Sequence, residues 1–321
     1  MPPSAPARTR TLLEVACDES GSEGEKLVRG STHVFAHASI DVTTERALET
    51  IERVRVEARS PATEVKASVV LRPQNWRLLE WLLGEDGPFL GHAQVHLTDK
   101  ALHLTGRMVA LLDGPAPSLD AHRRAVFLYE VARRRLGPGR WEAVLADFND
   151  IVRARSPEEA AASAHSLWAG LLELDDLGAP VEGLVAGVPL DDAGLDRLVG
   201  HGRTVLDPIV PALADVLRHW GAEGRPLWVV HDVQATLTDA AIRTAVGSSP
   251  GGPSNALEGI TFVDSQDDAR VQLADFLAGA ARRIAAHVLE GRADPALVDL
   301  IAPYVSPRST WLGAWPSDGS A

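Results

Sequence analysis

The stretch LLEVACDESG, residues 12–21, has the pattern of a short buried strand that runs into a polar turn. Leu13, Val15 and Cys17 share one face of this strand, and Asp18 lies on the other face at the strand end. Ligand sites of open α/β sheets lie at the carboxyl ends of strands, which makes Asp18 a candidate site residue. The alternative is that Asp18 stabilises the turn by accepting a hydrogen bond from the backbone.

Strands and helices alternate in the two outer parts of the chain. Strand patterns recur at Thr32–Ile40, Glu64–Leu71, Ala93–Leu97, Leu227–Val230 and Ile260–Val263. Helical patterns cover residues 44–57, 74–83, 100–112 and 269–290. This alternation predicts one α/β domain, with its core at about residues 10–112 and 226–302. The first two strands are close enough to form a hairpin, so we expect a mixed sheet flanked by helices.

The middle of the chain has a different pattern. Residues 113–117, DGPAP, form a clear break, and the chain from 113 to 225 is helical in pattern almost throughout. We therefore expect a large helical insertion that packs beside the sheet without adding a strand to it. The last residues, 307–321, are expected to form a loosely ordered tail.

Composition limits the classes of function. The 321 residues carry a net charge of -13, so the sequence predicts no general surface for polyanions, and any contact with nucleic acid must be local. The single cysteine, Cys17, excludes an intramolecular disulfide and favours a reducing compartment. The sequence shows neither an apolar segment typical of a signal peptide nor a membrane-spanning run, so we expect a cytoplasmic protein.

A second carboxylate lies in the last long helix. In residues 263–280, VDSQDDARVQLADFLAGA, Asp275 lies beside an apolar stripe at helical spacing. A carboxylate in that position is partly buried and needs a cation or hydrogen-bond donors. The alternative is an ion pair with Arg282 or Arg283. Asp267 and Asp268 are expected to cap the helix and to lie outside the site.

Three further residues complete the candidate set. Asp232 follows the apolar strand Leu227–Val230 and repeats the position of Asp18 at a strand end, although it could equally form a turn or a helix cap. Glu64 and Lys66 lie two residues apart on a predicted strand and so share a face. Their alternative role is a surface ion pair that contributes little to stability.

The chemistry of these residues indicates a metal site. Clustered carboxylates raise one another's pKa unless a divalent cation lies among them. Ligand sets made only of oxygen atoms suit hard cations such as Mg²⁺ or Mn²⁺. We therefore predict that Asp18, Asp232 and Asp275 bind Mg²⁺ or Mn²⁺. Two such ions can activate a water molecule and stabilise the leaving oxygen of a phosphodiester.

Four segments together resemble a known bacterial family. VACDESG, TEVKAS, VVHDVQ and VDSQDDARVQLADFLAGA are similar to the motifs of the family catalogued as domain of unknown function 3800, which is regarded as ribonuclease H-like. The resemblance covers roughly the first and last hundred residues. It implies a ribonuclease H-like core in which Asp18 and Asp275 are metal ligands, Asp232 completes the set, and Glu64 is a further candidate.

The leading hypothesis is therefore a metal-dependent nuclease or related phosphoesterase. Its candidate catalytic residues are Asp18, Asp232, Asp275, Glu64 and Lys66. An arginine-rich patch in the helical insertion could contact phosphates, or could be a solvated helix face neutralised by nearby acids; its residues are Arg123, Arg124, Arg133 and Arg134. The alternative function is a non-catalytic module that keeps the fold and binds a protein partner through the insertion.

Overall fold

A computed structural model describes residues 11–59, 65–112, 118–199, 203–247 and 257–313. Its centre is a five-stranded mixed sheet in the order β3-β2-β1-β4-β5. Strand β2 is antiparallel to both of its neighbours, whereas β1, β4 and β5 are mutually parallel. The predicted α/β class and mixed sheet are confirmed. The strands are β1 Leu13–Ser20, β2 Val34–Ile40, β3 Ala93–Asp99, β4 Leu227–Asp232 and β5 Leu257–Val263.

Helices surround the sheet and fill the middle of the chain. Those of the core are α1 Thr44–Glu57, α2 Ala67–Val70, α3 Trp76–Leu83, α4 Lys100–Leu112, α11 Asp239–Gly247, α12 Ala269–Leu289 and α13 Pro295–Ile301. Those of the middle are α5 Ser118–Leu136, α6 Pro138–Arg153, α7 Pro157–Leu172, α8 Ala179–Gly187, α9 Asp192–Val199 and α10 Ile209–Trp220. Within the described ranges, none of these helices is long and apolar enough to cross a membrane.

The two faces of the sheet carry different helices because the strand side chains alternate. Ala16, Ala36 and Ala38 belong to the core cluster on the α12 face, and their small size lets this long helix lie close to β1 and β2. On the opposite face, Val15 and Cys17 pack with residues of α10. Asp18 has the parity of Ala16, so its side chain lies on the α12 face.

The predicted strand over residues 64–71 is wrong. Lys66 has extended backbone and caps the short helix α2, while Glu64 lies outside the described residues. Ala67 and Val70 are the buried positions of α2, and their spacing is helical. The helix lies against α12 at Gly279, where an added Cβ would come within 2.4 Å of the Ala67 Cβ. Tertiary packing therefore overrides an alternating pattern that is too short to define a strand.

The middle of the chain has its own apolar core. Buried side chains of α4 to α9 pack together there, among them Met108, Trp141, Phe148 and Leu167. The described residues between 118 and 225 contain helices and no strand. Helix α10, however, lies against the sheet, so the region predicted as an insertion supplies the cover of one sheet face.

The chain after α13 runs beside the edge strand β3. Val305 and Thr310 form parallel bridges with Val95 and Thr98. The Ser309 hydroxyl accepts a hydrogen bond from the Leu97 N–H at 3.0 Å. The first part of the expected loose tail, residues 307–313, thus belongs to the sheet edge, and residues 314–321 lie outside the described residues.

Candidate functional site

Asp18 is buried at the carboxyl end of the central strand. Its side chain is 6% exposed, and its Oδ1 accepts a hydrogen bond from the Glu19 N–H at 2.7 Å. Burial, together with the negative charges of Glu19, Asp275 and Asp232, raises the pKa of Asp18 to about 9, against the opposing effect of the Glu19 N–H. Because these charges act on one carboxyl, the three predicted aspartates belong to one electrostatic cluster.

Asp275 faces this strand end from α12. Its Oδ2 accepts a hydrogen bond from the Ala67 N–H at 3.2 Å, which ties the start of α2 to the site. Arg282, the ion-pair partner considered from sequence, donates from its Nε to the Ser20 hydroxyl at 2.9 Å. The Arg282 guanidinium is still close enough for Asp275 to act on its pKa.

Asp232 ends β4, the parallel neighbour of β1. Its Oδ1 accepts a hydrogen bond from the Ser265 N–H at 3.0 Å, so it fixes the loop that follows β5. Burial raises the pKa of Asp232, as does the charge of Asp264, while the N–H donors of Ser265 and Val233 and the charge of Lys66 oppose the rise. Lys66 is therefore close to Asp232, although it does not reach it from the strand that the sequence predicted.

Of the two acids expected to lie outside the site, Asp268 has a structural role and Asp267 is exposed. Asp268 caps α12 by accepting from the Arg270 N–H at 2.8 Å, and it forms an ion pair with the Arg270 guanidinium at 2.7 Å. The same guanidinium contacts Glu14 at 2.9 Å. Asp267 is exposed in the turn before the helix.

Glu19 is a site residue that the sequence reasoning missed. It points to the face opposite Asp18, where Gln234 donates a hydrogen bond to Oε1 and where Oε2 is buried without a partner among the described residues. Burial and the charge of Asp232 raise the pKa of Glu19 to about 7, against the opposing effect of the hydrogen bond from Gln234. The available signal was its place in the triplet Asp18-Glu19-Ser20, directly after a buried strand.

A histidine pair lies on the same face as Glu19. The Nε2 atoms of His37 and His231 are 3.0 Å apart, and both side chains are buried. Burial lowers the pKa of both, that of His231 to about 4, and the neighbouring His231 and His96 lower that of His37 further. Sequence spacing could not reveal the pair because the two residues come from β2 and β4.

The donor chemistry of the aspartate cluster suits a hard divalent cation. Asp18, Asp232 and Asp275 offer oxygen atoms only, and a cation among them would reverse the repulsion that raises the pKa of Asp18. Across the described ranges, however, no group of three or more His, Cys, Asp or Glu side chains is arranged to hold a metal ion. The cluster is thus chemically suitable but is not a preformed cage, and Glu64 lies outside the residues described.

The arginine patch predicted on the insertion is largely engaged within the protein. Arg124 donates to the Pro180 carbonyl at 3.2 Å, Arg133 donates to the Tyr129 hydroxyl, and Arg134 pairs with Glu130 at 3.1 Å. Arg134 is thus paired with an acid, while Arg124 and Arg133 are held by neutral acceptors. These contacts favour the alternative, a helix face engaged with its own surroundings. We therefore do not assign substrate contacts to this patch.

Comparison with known proteins identifies no relative: no protein-family model, no curated protein and no solved structure matches this chain.

Proposed function

We propose that this protein is a divalent-metal-dependent nuclease or related phosphoesterase with a ribonuclease H-like core. The observation that carries the proposal is the convergence of Asp232 and Asp275 on the buried Asp18, whose pKa their charges and burial together raise. Perturbed carboxyl groups at strand ends are typical of functional sites. The mixed sheet with helices on both faces supports the proposed core.

In this proposal Asp18, Asp232 and Asp275 hold Mg²⁺ or Mn²⁺, which would activate water and neutralise charge on the phosphodiester. The protein orients the ligands by backbone donors: the Ser265 N–H holds Asp232 and the Ala67 N–H holds Asp275. Such fixed partners reduce the reorganisation needed when a cation binds. Lys66, next to Asp232, can place its ammonium against a phosphate oxygen.

The proposal is tested by a cleavage assay with and without Mg²⁺ or Mn²⁺. The substrates are end-labelled single-stranded DNA, single-stranded RNA, and their duplexes. Wild-type protein and the control Asp267→Asn, which changes an exposed acid of the nearby turn, should cleave at least one of them only with metal. Asp18→Asn and Asp275→Asn should reduce cleavage below detection. Cleavage that persists in either variant would contradict the proposal.

The competing function is a non-catalytic module that binds a protein. Two observations favour it: the net charge of -13 and the lack, in the described part of the chain, of a preformed group of metal ligands. It predicts no cleavage of any of the four substrates and no effect of the cations on thermal stability.

A further inference from the structure

A basic pocket of about 440 Å³ lies between α12 and the chain that leads into β2. Its cationic lining comes from Arg282, Arg283 and Arg292, and the imidazole side chains of His33 and His287 lie beside them. The hydroxyl-bearing residues Ser31 and Thr32 complete one wall. In a chain with a net charge of -13, overall composition does not account for such a concentration of positive charge.

The acids around the basic pocket balance its arginines only in part. Glu290 is the one acid that the described residues contribute to its lining, and it pairs with Arg292. Burial lowers the pKa of Arg282 and Arg283 lowers it further, while Asp275 opposes the change. Burial, Arg292 and Arg283 lower the pKa of His287, and Glu290 opposes that change. Arg283 has no ion-pair partner among the described residues. An anion in the pocket would relieve this repulsion.

Arg282 connects the basic pocket to the aspartate cluster. It lies two helical turns after Asp275 on α12, and its Nε donates to Ser20, two residues after Asp18. Gly21 leaves room for the Arg282 side chain because it lacks a Cβ. It has a φ of +82°, and an added Cβ would come within 2.7 Å of the Arg282 Cδ and 2.4 Å of the Val34 carbonyl oxygen. The local fold therefore keeps a guanidinium beside the acidic site.

We propose that the basic pocket binds a phosphate group of the nucleic-acid strand that is cleaved at the aspartate cluster; this assignment rests on the proposed function. Guanidinium groups present paired donors that match phosphate oxygens. A strand that passes three carboxylates is repelled by them, so cationic groups next to the cluster are needed to hold it.

The neighbouring surface favours a nucleic-acid strand over a free phosphate ion. The basic pocket shares His33, Leu289 and Glu290 with a second pocket of about 230 Å³. That pocket is lined in part by Pro138 and Leu289, whose side chains are at least partly exposed and offer apolar surface for a base. A phosphate site next to an apolar pocket matches the alternation of phosphate and base along a strand.

The test is fluorescence anisotropy of a labelled single-stranded oligonucleotide in EDTA, where binding is separated from cleavage. Arg283→Gln and Arg292→Gln, both at exposed positions, should weaken binding several-fold, and each should reduce the slope of log affinity against log salt by about 0.7. Arg243→Gln changes an exposed arginine of α11 and should match the wild type. An oligonucleotide with a neutral methylphosphonate backbone should bind without dependence on the two pocket arginines.

Two results would overturn the inference. The first is an equal affinity and salt slope for Arg283→Gln, Arg292→Gln and Arg243→Gln. The second is binding of inorganic phosphate that depends on Arg283 and Arg292 while oligonucleotide binding does not, which would identify a site for the free ion. Loss of oligonucleotide binding in the two variants, without any cleavage by the wild type, would keep the pocket and refute only the proposed catalysis. Cleavage by the wild type, together with oligonucleotide binding that neither variant weakens, would refute the pocket and keep the proposed catalysis.

Discussion

The carboxylate of Asp275 accepts a hydrogen bond from the backbone N–H of Ala67 at 3.2 Å. This contact joins the longest helix, α12, to the short helix α2 that the sequence pattern did not predict. It gives Asp275 a structural task in addition to its proposed task as a metal ligand. Substitutions at this position can separate the two tasks.

Replacing Asp275 with Asn should leave the free energy of unfolding of the metal-free protein unchanged or slightly higher. The amide oxygen still accepts from Ala67, and one of the repelling charges around Asp18 is gone. Asp275→Ala should lose about 1 kcal/mol because the N–H of Ala67 loses its acceptor. Urea denaturation of the three proteins measures both effects. A loss of about 3–5 kcal/mol in Asp275→Asn would instead show that Asp275 compensates a buried cation.

Asp18 should make stability fall as the pH rises. Its pKa is raised from 3.8 to about 9, so between these values the folded protein holds a proton that the unfolded chain has released. This contribution to stability is complete below about pH 4 and is lost as the pH approaches 9. Asp18→Asn should therefore be more stable than the wild type at pH 8, with a difference that shrinks toward pH 5. A difference that does not vary with pH would contradict the raised pKa.

The pair of His37 and His231 should make stability fall as the pH decreases, which is opposite to the effect of Asp18. The pKa of His231 is lowered to about 4 and that of His37 is also lowered from 6.5, so the unfolded chain takes up protons first as the pH falls. Stability from these groups is present above about pH 6.5 and is lost below it. The double variant His37→Gln, His231→Gln should lose less unfolding free energy between pH 7 and pH 5 than the wild type. Equal losses would show that the pair is not the acid-sensitive element.

Gly279 should be essential for the position of α2. The Cβ of Gly279→Ala would lie within 2.4 Å of the Ala67 Cβ, so α2 has to move and its bond to Asp275 is weakened. We expect a loss of about 1–3 kcal/mol and a weaker affinity for Mn²⁺. The double variant Gly279→Ala, Ala67→Gly restores the space and should recover part of both. Additive effects of the two changes would show that the contact is unimportant.

The sequence predicted those features that depend on local periodicity and on strand ends. Strand β1, helix α12 and the strand-end positions of Asp18 and Asp232 follow from short patterns in the chain. The strand assigned to residues 64–71 failed because its fold depends on the space left by Gly279, more than two hundred residues away. The same limit applies to the His37–His231 pair, which exists only once β2 and β4 have taken their places on either side of β1.

The basic pocket was also invisible from sequence. Arg282 and Arg283 could be interpreted only as partners for Asp275, because the segment that faces them, residues 31–33, lies far away in the chain. The arginine patch of α5, by contrast, is conspicuous in sequence but is engaged with nearby acceptors in the structure. A run of arginines along a helix does not reveal how many of them the fold already uses.

The central claim is that Asp18, Asp232 and Asp275 form one site for a divalent cation. Isothermal titration calorimetry with Mn²⁺ at pH 7, in two buffers of different ionisation enthalpy, tests it most directly. We expect saturable binding with release of a proton, because the pKa of Asp18 is about 9 and a ligating carboxyl must be deprotonated. Binding should disappear in Asp18→Asn and Asp275→Asn and persist in Asp267→Asn. No binding at millimolar Mn²⁺, or equal binding by Asp18→Asn and the wild type, would contradict the claim.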